Sequence, residues 1–211
     1  MHTDLTRRRI IAASASLLAT PALMPLAGAA LMTPQQALGP FYPSALPPDH
    51  DNDLATVAGH EGIAAGDITH VIGQVTAVDD KPIAKAIVEI WQVNAFGRYH
   101  HPRDRRDRRV DPNFQGYGHV LTDADGKYSF RTIRPVPYPG RTPHIHFAVT
   151  RPGGEPLITQ MYVDGEPGNE RDGLLNSVRN DEQRRRLIVP LERSKAYKNE
   201  LLGKFDIVLP I

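Results

Sequence analysis

The sequence of 211 residues contains no cysteine. No thiolate is therefore available as a nucleophile or metal ligand, so any metal site must be built from histidine, tyrosine and carboxylate side chains. An excess of charge of one sign is also missing, since 25 basic and 24 acidic side chains leave a formal net charge of +1. A chain this close to neutral has no overall attraction to nucleic acid or to an anionic membrane, so no nucleic-acid partner is expected.

Long apolar runs are missing too, apart from one interrupted stretch near the N-terminus. There, three arginines at positions 7–9 precede a stretch rich in alanine and leucine, and small residues follow at 27–30. This order predicts a signal peptide over residues 1–29, and the paired arginines indicate twin-arginine export to the periplasm or the extracellular space. Two prolines interrupt the stretch, so we expect no stable membrane span in the mature chain. The alternative is an amphipathic or disordered tail.

The rest of the chain favours a single domain of the all-β class. Proline and glycine are frequent in residues 30–66, which predicts an extended N-terminal arm. Over residues 67–211, seven short β-type runs alternate with turn signals, which favours an antiparallel β-sandwich with long loops. One helix is predicted from Leu174 to Leu187. The predicted strands are Thr69–Val78, Ala86–Val93, Gly118–Thr122, Lys127–Ile133, His144–Thr150, Leu157–Val163 and Phe205–Leu209.

A histidine pair marks the first candidate site. Residues two apart in a strand point to the same face, so His144 and His146 project together and could bind one ion. Taken alone, such a pair has a structural or surface role as its alternative. Tyr138 lies six residues before His144, in a segment turned by a Pro-Gly pair. Tyr99 lies in a loop beyond a predicted strand, where binding groups tend to be placed.

Eight short segments occur in an order shared with one enzyme family. They are Gln36–Tyr42, Glu89–Gln92, Gly97–Tyr99, Asp111–Phe114, Thr122–Asp123, Gly126–Phe130, Pro137–Pro139 and Pro143–Phe147. These segments resemble the intradiol ring-cleavage dioxygenases, and in particular the iron-bearing subunits of that family. The resemblance extends over roughly residues 35–211.

The resemblance implies a mononuclear non-haem Fe(III) ion with four protein ligands. Tyr99 and His146 would be equatorial ligands, and Tyr138 and His144 axial ones. Phenolate is a hard anionic oxygen ligand, so two of them favour Fe(III) over softer or divalent ions. The implied reaction uses O2 to cleave a catechol-type diol between its two hydroxyl-bearing carbons, and it gives a cis,cis-muconate-type diacid. The substrate would displace Tyr138, whose phenolate could then take up a substrate proton.

Three further residues acquire roles through the resemblance. Arg141 would lie beside the substrate and stabilise charge on a ring carbon. Gln160 would hydrogen-bond Arg141 or a ligand, and Trp91 would line the pocket wall. The alternatives are a surface position for Arg141 and a core position for Trp91. Six other aromatic and imidazole side chains are expected to be packing residues or non-ligands: Tyr117, Tyr128, Tyr162, His100, His101 and His119.

The chain also departs from the family pattern. The interval between Tyr138 and His144 is short, which implies a more open iron and bulkier catechols as substrates. The mature chain has no room for the N-terminal helical domain of catechol dioxygenases, so a homo-oligomer or a partner subunit is possible. The basic run 103–109 is expected to be a solvated loop, with guidance of a carboxylated catechol as the alternative.

Two other functions fit parts of the sequence. The chain could be a non-catalytic β-sandwich binding module or an iron-free partner subunit, although such a chain has little reason to keep all four ligand residues and Arg141. It could also be a zinc hydrolase, but zinc sites favour histidine with carboxylate or cysteine, and two tyrosines would be unusual.

Overall fold

A computed structural model describes residues 30–210, so the predicted signal peptide lies outside the described residues. Within this range, ten strands and two short α-helices follow the arm. No helix among these residues is long and apolar enough to cross a bilayer. The elements are β1 (Ile68–Ala77), β2 (Ile87–Trp91), β3 (Tyr117–Leu121), β4 (Lys127–Ile133), β5 (His144–Thr150), β6 (Leu157–Val163), α1 (Gly173–Asn176), α2 (Asp181–Arg186), β7 (Ile188–Val189), β8 (Glu192–Ser194), β9 (Glu200–Lys204) and β10 (Ile207–Leu209).

The strands form two five-stranded sheets that pack as a sandwich, which confirms the predicted all-β class. One sheet has the order β3-β2-β5-β6-β7. In the other, β1 pairs with β4 on one side and with β9 and β10 on the other, and β8 extends the sheet beyond β9.

The predicted β-sandwich is confirmed, but its strands are only partly antiparallel. Strand β1 is parallel to both β9 and β10, and β6 is parallel to β7. The C-terminal segment runs along β1 twice in the same direction, first as β9 and then as β10. Alternating burial is the same for parallel and antiparallel partners, so the sequence pattern could not report the direction. The short strands β7, β8 and β9 were not predicted either.

The core lies between the inner faces of the two sheets. Strand β1 alternates buried and half-buried residues along its whole length, and six of the seven residues of β5 are buried. Phe147 of β5 packs against Phe205, which precedes β10, with ring centroids 5.0 Å apart. This packing fixes β5, the strand that carries both candidate histidines, at the centre of its sheet.

The predicted helix Leu174–Leu187 is wrong, because the segment forms two short helices instead. Asn180 has an extended backbone, with φ −78° and ψ 114°, and it separates α1 from α2. Its side-chain oxygen accepts hydrogen bonds from the backbone N–H groups of Glu182 and Gln183, both at 3.0 Å. Asparagine therefore caps a new helix here rather than continuing the old one.

The arm contributes to the core as well as covering the surface. Backbone N–H groups of His119 in β3 and Arg131 in β4 donate to the carbonyl oxygens of His50 and Asn52, at 3.0 and 2.8 Å. Arm residues 50–55 thus join an edge strand of one sheet to an edge strand of the other. Leu54 within this segment is fully buried. The arm protects two edges that could otherwise pair with another chain.

Candidate metal centre

The two histidines lie at alternate positions on β5. Both side chains are buried, and their ring centroids are 4.9 Å apart. The strand places them on one face because its side chains alternate with a period of two. The predicted pairing of His144 with His146 is present in the structure.

A tight turn brings Tyr138 back to the first histidine. The N–H of Arg141 donates to the carbonyl of Tyr138 at 2.9 Å, and Gly140 between them has φ +81°. Glycine accepts this left-handed conformation without strain, which is why the Pro-Gly pair suits the turn. As a result the Tyr138 hydroxyl lies 3.3 Å from Nε2 of His144.

The tautomer of His144 is set by the backbone carbonyl of Thr142, two residues earlier in the chain. Its Nδ1 lies 2.7 Å from the carbonyl oxygen of Thr142, a partner that can only accept, so Nδ1 carries the hydrogen. The lone pair is then left on Nε2, the atom that faces Tyr138. Burial, followed by the positive charge of Arg141, lowers the pKa of His144 to about 3. The ring is therefore neutral at physiological pH and can act as a metal ligand.

His146 is held by stacking rather than by a hydrogen bond. Its ring lies on Trp91, its cross-strand neighbour in β2, with centroids 4.8 Å apart and planes 10° apart. Its Nδ1 is buried and has no hydrogen-bond partner within residues 30–210. Burial, then His144 and Arg141, lower the pKa of His146 well below its ordinary value, so this ring is neutral too.

Tyr99 enters the site from the loop that follows β2. Its backbone N–H donates to Oδ2 of Asp104 at 2.8 Å, which fixes the loop around it. Its ring lies 5.8 Å from that of Tyr138 and 6.2 Å from that of His146. The side chain is buried, and its hydroxyl has no hydrogen-bond partner in the described part of the chain. Burial, and next the neighbouring Tyr138, raise the pKa of Tyr99 well above 10.

Arg141 lies beside these four side chains and is fixed by two partners. Its Nε donates to Oδ2 of Asp172 at 2.8 Å, and its Nη2 donates to Oε1 of Gln160 at 2.6 Å. A longer contact of 3.4 Å joins Nη2 to the hydroxyl of Tyr162. The predicted hydrogen bond between Gln160 and Arg141 is therefore present, and the guanidinium has one fixed orientation.

The donor atoms in this cluster fit a hard trivalent ion. Among residues 30–210 there is no group of three His, Asp or Glu side chains that could hold a metal, so tyrosines must complete any such site. The cluster supplies two phenols and two neutral imidazoles, and the Tyr99 hydroxyl needs a partner that the fold does not give it. A bound Fe(III) would be that partner, and its charge would lower the phenol pKa that burial raises.

Comparison with known proteins identifies the family. A profile of the family described as Dioxygenase matches residues 38–210. The chain is 39% identical, over 168 residues, to the protocatechuate 3,4-dioxygenase beta chain of Burkholderia cepacia; the match covers 75% of this chain and 71% of that one. This chain belongs to the intradiol ring-cleavage dioxygenases. The resemblance predicted from the sequence is thereby confirmed.

Other intradiol dioxygenases are similar over different shares of their length. The chain is 33% identical to catechol 1,2-dioxygenase 2 of Acinetobacter lwoffii, and the match covers 72% of this chain but 62% of that enzyme. Among solved structures, the dioxygenase domain of a dioxygenase–carbohydrate-binding protein fusion from Streptomyces sp. SirexAA-E superposes with a TM-score of 0.65 and 31% identity. That match covers 85% of this chain and 99% of the domain.

Asp172 is a part of this dioxygenase site that the sequence analysis missed. Its carboxylate accepts from Arg141, from the backbone N–H of Thr142 at 3.0 Å, and from the N–H groups of Leu174 and Leu175 at 3.0 and 3.1 Å. Burial opposes its charge, but the bonds from Leu175, Arg141 and Thr142 outweigh burial and keep its pKa below the usual range. An aspartate just before an apolar pair is a helix N-cap signal, and that pattern could have drawn attention to it.

The basic run 103–109 is not simply a solvated loop. Arg106 is only partly exposed, and its guanidinium lies 4.7 Å from the ring centroid of Tyr138 and 5.9 Å from that of Tyr99. Its Nε donates to Asp104 at 2.8 Å, and Asp104 is the residue that also fixes the backbone of Tyr99. A cation is thus held over both tyrosines. No feature of the sequence indicated which arginine in the run would do so.

The other side chains expected to be packing residues or non-ligands differ in their surroundings. His119 lies with Nδ1 2.9 Å from a backbone carbonyl, and His100 is exposed. Tyr117 donates to Glu89 at 2.6 Å. Tyr162 differs from the expectation of simple packing, because its hydroxyl donates to Gln36 of the arm at 2.9 Å as well as meeting Arg141.

Proposed function

We propose that this protein is an iron(III)-dependent intradiol dioxygenase that uses O2 to cleave catechol-type diols between their hydroxyl-bearing carbons. The products would be cis,cis-muconate-type diacids. The observation that carries the proposal is the buried hydroxyl of Tyr99, which has no hydrogen-bond partner among residues 30–210 and lies beside Tyr138 and the neutral imidazoles of His144 and His146. The names of the relatives, which include protocatechuate and catechol dioxygenases, support the same chemistry.

Tyr99, Tyr138, His144 and His146 would hold the iron. When bound, Fe(III) would act as a Lewis acid and one-electron acceptor toward a catecholate, which makes the ring reactive toward O2.

Tyr138 is the phenol suited to release and proton transfer. It is half-buried, whereas Tyr99 is almost fully buried, and a short turn rather than a strand holds it. A side chain on such a turn can swing away at lower cost than one packed within the core. We therefore assign Tyr138 as the side chain that leaves when substrate binds, with its phenolate oxygen accepting a substrate proton.

Arg141 supplies a fixed positive charge beside the four candidate ligands. Its charge lowers the pKa of both His144 and His146, so its field reaches the candidate ligands. Because Asp172 and Gln160 hold it on two sides, the guanidinium needs little reorganisation to stabilise negative charge on a bound catecholate.

The test combines visible absorption of the iron-loaded protein with product formation. Protein loaded with Fe(III) should show a visible band from phenolate-to-iron charge transfer, and this band should shift when catechol is added. Formation of a muconate-type product is followed by its ultraviolet absorption. The same protein loaded with Zn(II), which has no such transition, is the control. A colourless iron-loaded protein that forms no product would overturn the proposal and favour a non-catalytic binding module.

Substrate breadth and export are further proposals. The short interval from Tyr138 to His144 motivates a preference for substituted or bulkier catechols, and kcat/KM values for catechol, protocatechuate and larger catechols measure it. Strict preference for one small substrate would contradict this.

The arginines at 7–9 motivate export, and a cytoplasmic location unchanged by replacing them with lysine would argue against the twin-arginine route.

A further inference from the structure

Arg106 lies over the rings of both tyrosines of the candidate metal centre. Its guanidinium carbon is 4.7 Å from the ring centroid of Tyr138, 5.9 Å from that of Tyr99 and 5.6 Å from that of Phe41. Phe41, from the arm, stacks on Tyr99 with ring centroids 4.6 Å apart. All three distances from the guanidinium lie within the range of a cation–π contact, roughly 6 Å. The cation is therefore surrounded by three aromatic rings, and two of them belong to candidate iron ligands.

The position of the guanidinium is fixed by Asp104. Nε of Arg106 donates to Oδ1 of Asp104 at 2.8 Å, and Nη2 donates to Oδ2. The carboxylate is fully buried, and it also accepts the backbone N–H of Tyr99 at 2.8 Å. A two-point contact of this kind holds the guanidinium in one orientation. One carboxylate thus sets the position of the cation and the backbone of the candidate ligand Tyr99 together.

The charge of Arg106 is permanent and acts on the tyrosines. Its hydrogen bond with Asp104 raises the pKa of Arg106 against the effect of burial, so the guanidinium stays protonated. Burial and Tyr138 raise the pKa of Tyr99, whereas Arg141 and Arg106 oppose that rise. The guanidinium therefore favours negative charge on Tyr99 even though it is paired with Asp104.

We propose that Arg106 is a positioning residue of the metal centre, whose charge stabilises the negative charge that Tyr99 and Tyr138 carry as iron ligands. This role rests on the proposed function, in which both tyrosines bind iron. A cation over the ring lowers the energy of the phenolate electrons, so each phenolate donates less strongly. Weaker donation would leave bound Fe(III) the stronger electron acceptor toward a catecholate.

The first experiment measures the Fe(III)/Fe(II) reduction potential and the visible band of the iron-loaded full chain, with no catechol present. Arg106→Met removes the charge at similar length, so the potential should become more negative and the band should move to longer wavelength. Arg106→Lys keeps a positive charge and should retain most of the wild-type potential. Arg105→Met, at an exposed neighbour in the same run, changes the net charge equally but should leave both readouts unchanged, because solvent screens this side chain.

A double variant separates the effect of the cation from that of its ion-pair partner. Arg106→Met alone leaves the buried carboxylate of Asp104 without its cation, which also lowers the potential and can destabilise the loop. Asp104→Asn combined with Arg106→Met removes both charges, and the amide oxygen of asparagine can still accept from Tyr99. If Arg106 acts on the rings, the double variant keeps a smaller shift in the same direction. A return to wild-type values would show that the two charges cancel at the tyrosines and would overturn the proposal.

A double-mutant cycle tests the contact between Arg106 and Tyr138 in metal-free protein. Urea unfolding midpoints are compared for Arg106→Met, for Tyr138→Leu and for the variant with both changes. Because the guanidinium lies on the ring, the loss in the double variant should be smaller than the sum of the two single losses. Additive losses would show that the two side chains do not interact, and the proposal would then be wrong.

Turnover distinguishes this role from substrate binding and from failure of the proposed function. Arg106→Met should lower kcat about three- to ten-fold for catechol and protocatechuate alike. A rise in KM confined to protocatechuate, at an unchanged potential, would overturn the proposal and make Arg106 a carboxylate-binding residue. Wild-type protein that shows the band and the predicted shifts but cleaves no catechol would overturn the proposed function and support the role of Arg106. Absence of the band would overturn both.

Discussion

Tyr99 places a hydroxyl where the fold alone gives it no partner. The group is buried, lacks a hydrogen bond within residues 30–210, and has a raised pKa because of burial. In the absence of metal it therefore opposes folding, since buried unpaired hydroxyls are destabilising. Among the other candidate ligands, His146 is similar, because its Nδ1 also has no hydrogen-bond partner in the described part of the chain. Side chains of this kind are explained by what they bind and not by what they pack against.

Replacing Tyr99 with phenylalanine should separate the effect of its hydroxyl on stability from its role in iron binding. In metal-free protein, Tyr99→Phe should leave the free energy of unfolding unchanged or raise it by about 1 kcal/mol, because only an unpaired hydroxyl is removed. The same variant should lose the visible iron band and activity. Urea unfolding and absorption after iron loading measure the two effects. Tyr128→Phe, at a buried tyrosine that is hydrogen-bonded to a backbone carbonyl, is the control and should lose stability but keep the band. Strong destabilisation by Tyr99→Phe would contradict this explanation.

Asp172 acts through Arg141, so its substitution should affect turnover more than substrate binding. Asp172→Asn replaces one carboxylate oxygen by an NH2 group, which cannot accept, so at least one of the four N–H donors to Asp172 loses its partner. We expect kcat to fall about 10- to 100-fold, with a smaller change in KM, because Arg141 is no longer fixed. Steady-state kinetics measure this. Asp181→Asn, at an exposed acid in α2, should have no such effect, and equal losses in both variants would sink the assignment.

Short connecting segments, more than the strands themselves, position the ligands. The turn from Tyr138 to Arg141 brings one phenol to His144, the loop after β2 delivers Tyr99, and the arm covers His146. Gly39 of the arm has φ +76°, and a Cβ at this residue would lie 3.3 Å from Cε1 of His146. The arm therefore approaches the candidate metal ligand as closely as its backbone allows.

Two glycine substitutions in the arm can test whether its close contact with His146 shapes the metal centre. Gly39→Ala and Gly59→Ala both place alanine at positive φ, so each should cost about 1–2 kcal/mol of stability. Only at Gly39 would the added methyl group also press on His146, since nothing lies within 4 Å of a Cβ at Gly59. We expect Gly39→Ala alone to shift the visible iron band and lower activity. Identical spectra for the two variants would show that the arm does not shape the site.

Contacts between segments that are distant in the sequence hold the whole β-sandwich together. Arm residues 50–55 join the two sheets, the C-terminal strands lie parallel to β1, and Asp172 reaches back to Arg141. The site therefore depends on the complete fold, and binding of iron to the folded form should stabilise the entire domain by mass action. Removing iron should lower the melting temperature for the same reason.

Buried neutral histidines should make the metal-free protein sensitive to mild acid. The folded pKa of His144 is about 3, below its ordinary value of 6.5, so the unfolded chain binds more protons. Stability is then fully present above about pH 6.5 and is lost as pH falls toward 3, by up to about 1.4 kcal/mol per pH unit for each such imidazole. Asp172, whose folded pKa is also lowered, adds to this loss only below about pH 4.

Urea unfolding midpoints of the metal-free protein, measured from pH 7.5 to pH 5, check the predicted decrease of stability with falling pH. A double variant, His144→Gln with His146→Gln, should show a much flatter dependence over this interval, because the titrating imidazoles are gone. An equally steep loss in the double variant would place the acid sensitivity elsewhere in the molecule.

The sequence by itself determined the features that depend on neighbours along the chain. The period of two put His144 and His146 on one face, and the Pro-Gly pair turned Tyr138 toward them. Short β-type runs between turn signals predicted most of the strands. Eight short segments identified the family, and that resemblance implied Tyr99 as a ligand. These predictions hold because backbone geometry over a few residues is nearly fixed by residue type.

Only the tertiary structure decided what depends on contacts between distant segments. It showed that β9 and β10 are parallel to β1, that Asp172 fixes Arg141 from 31 positions away, and that one arginine of the basic run lies over both tyrosines. Packing of the sheets and the arm sets these contacts, and no local pattern encodes which distant partner a side chain will meet.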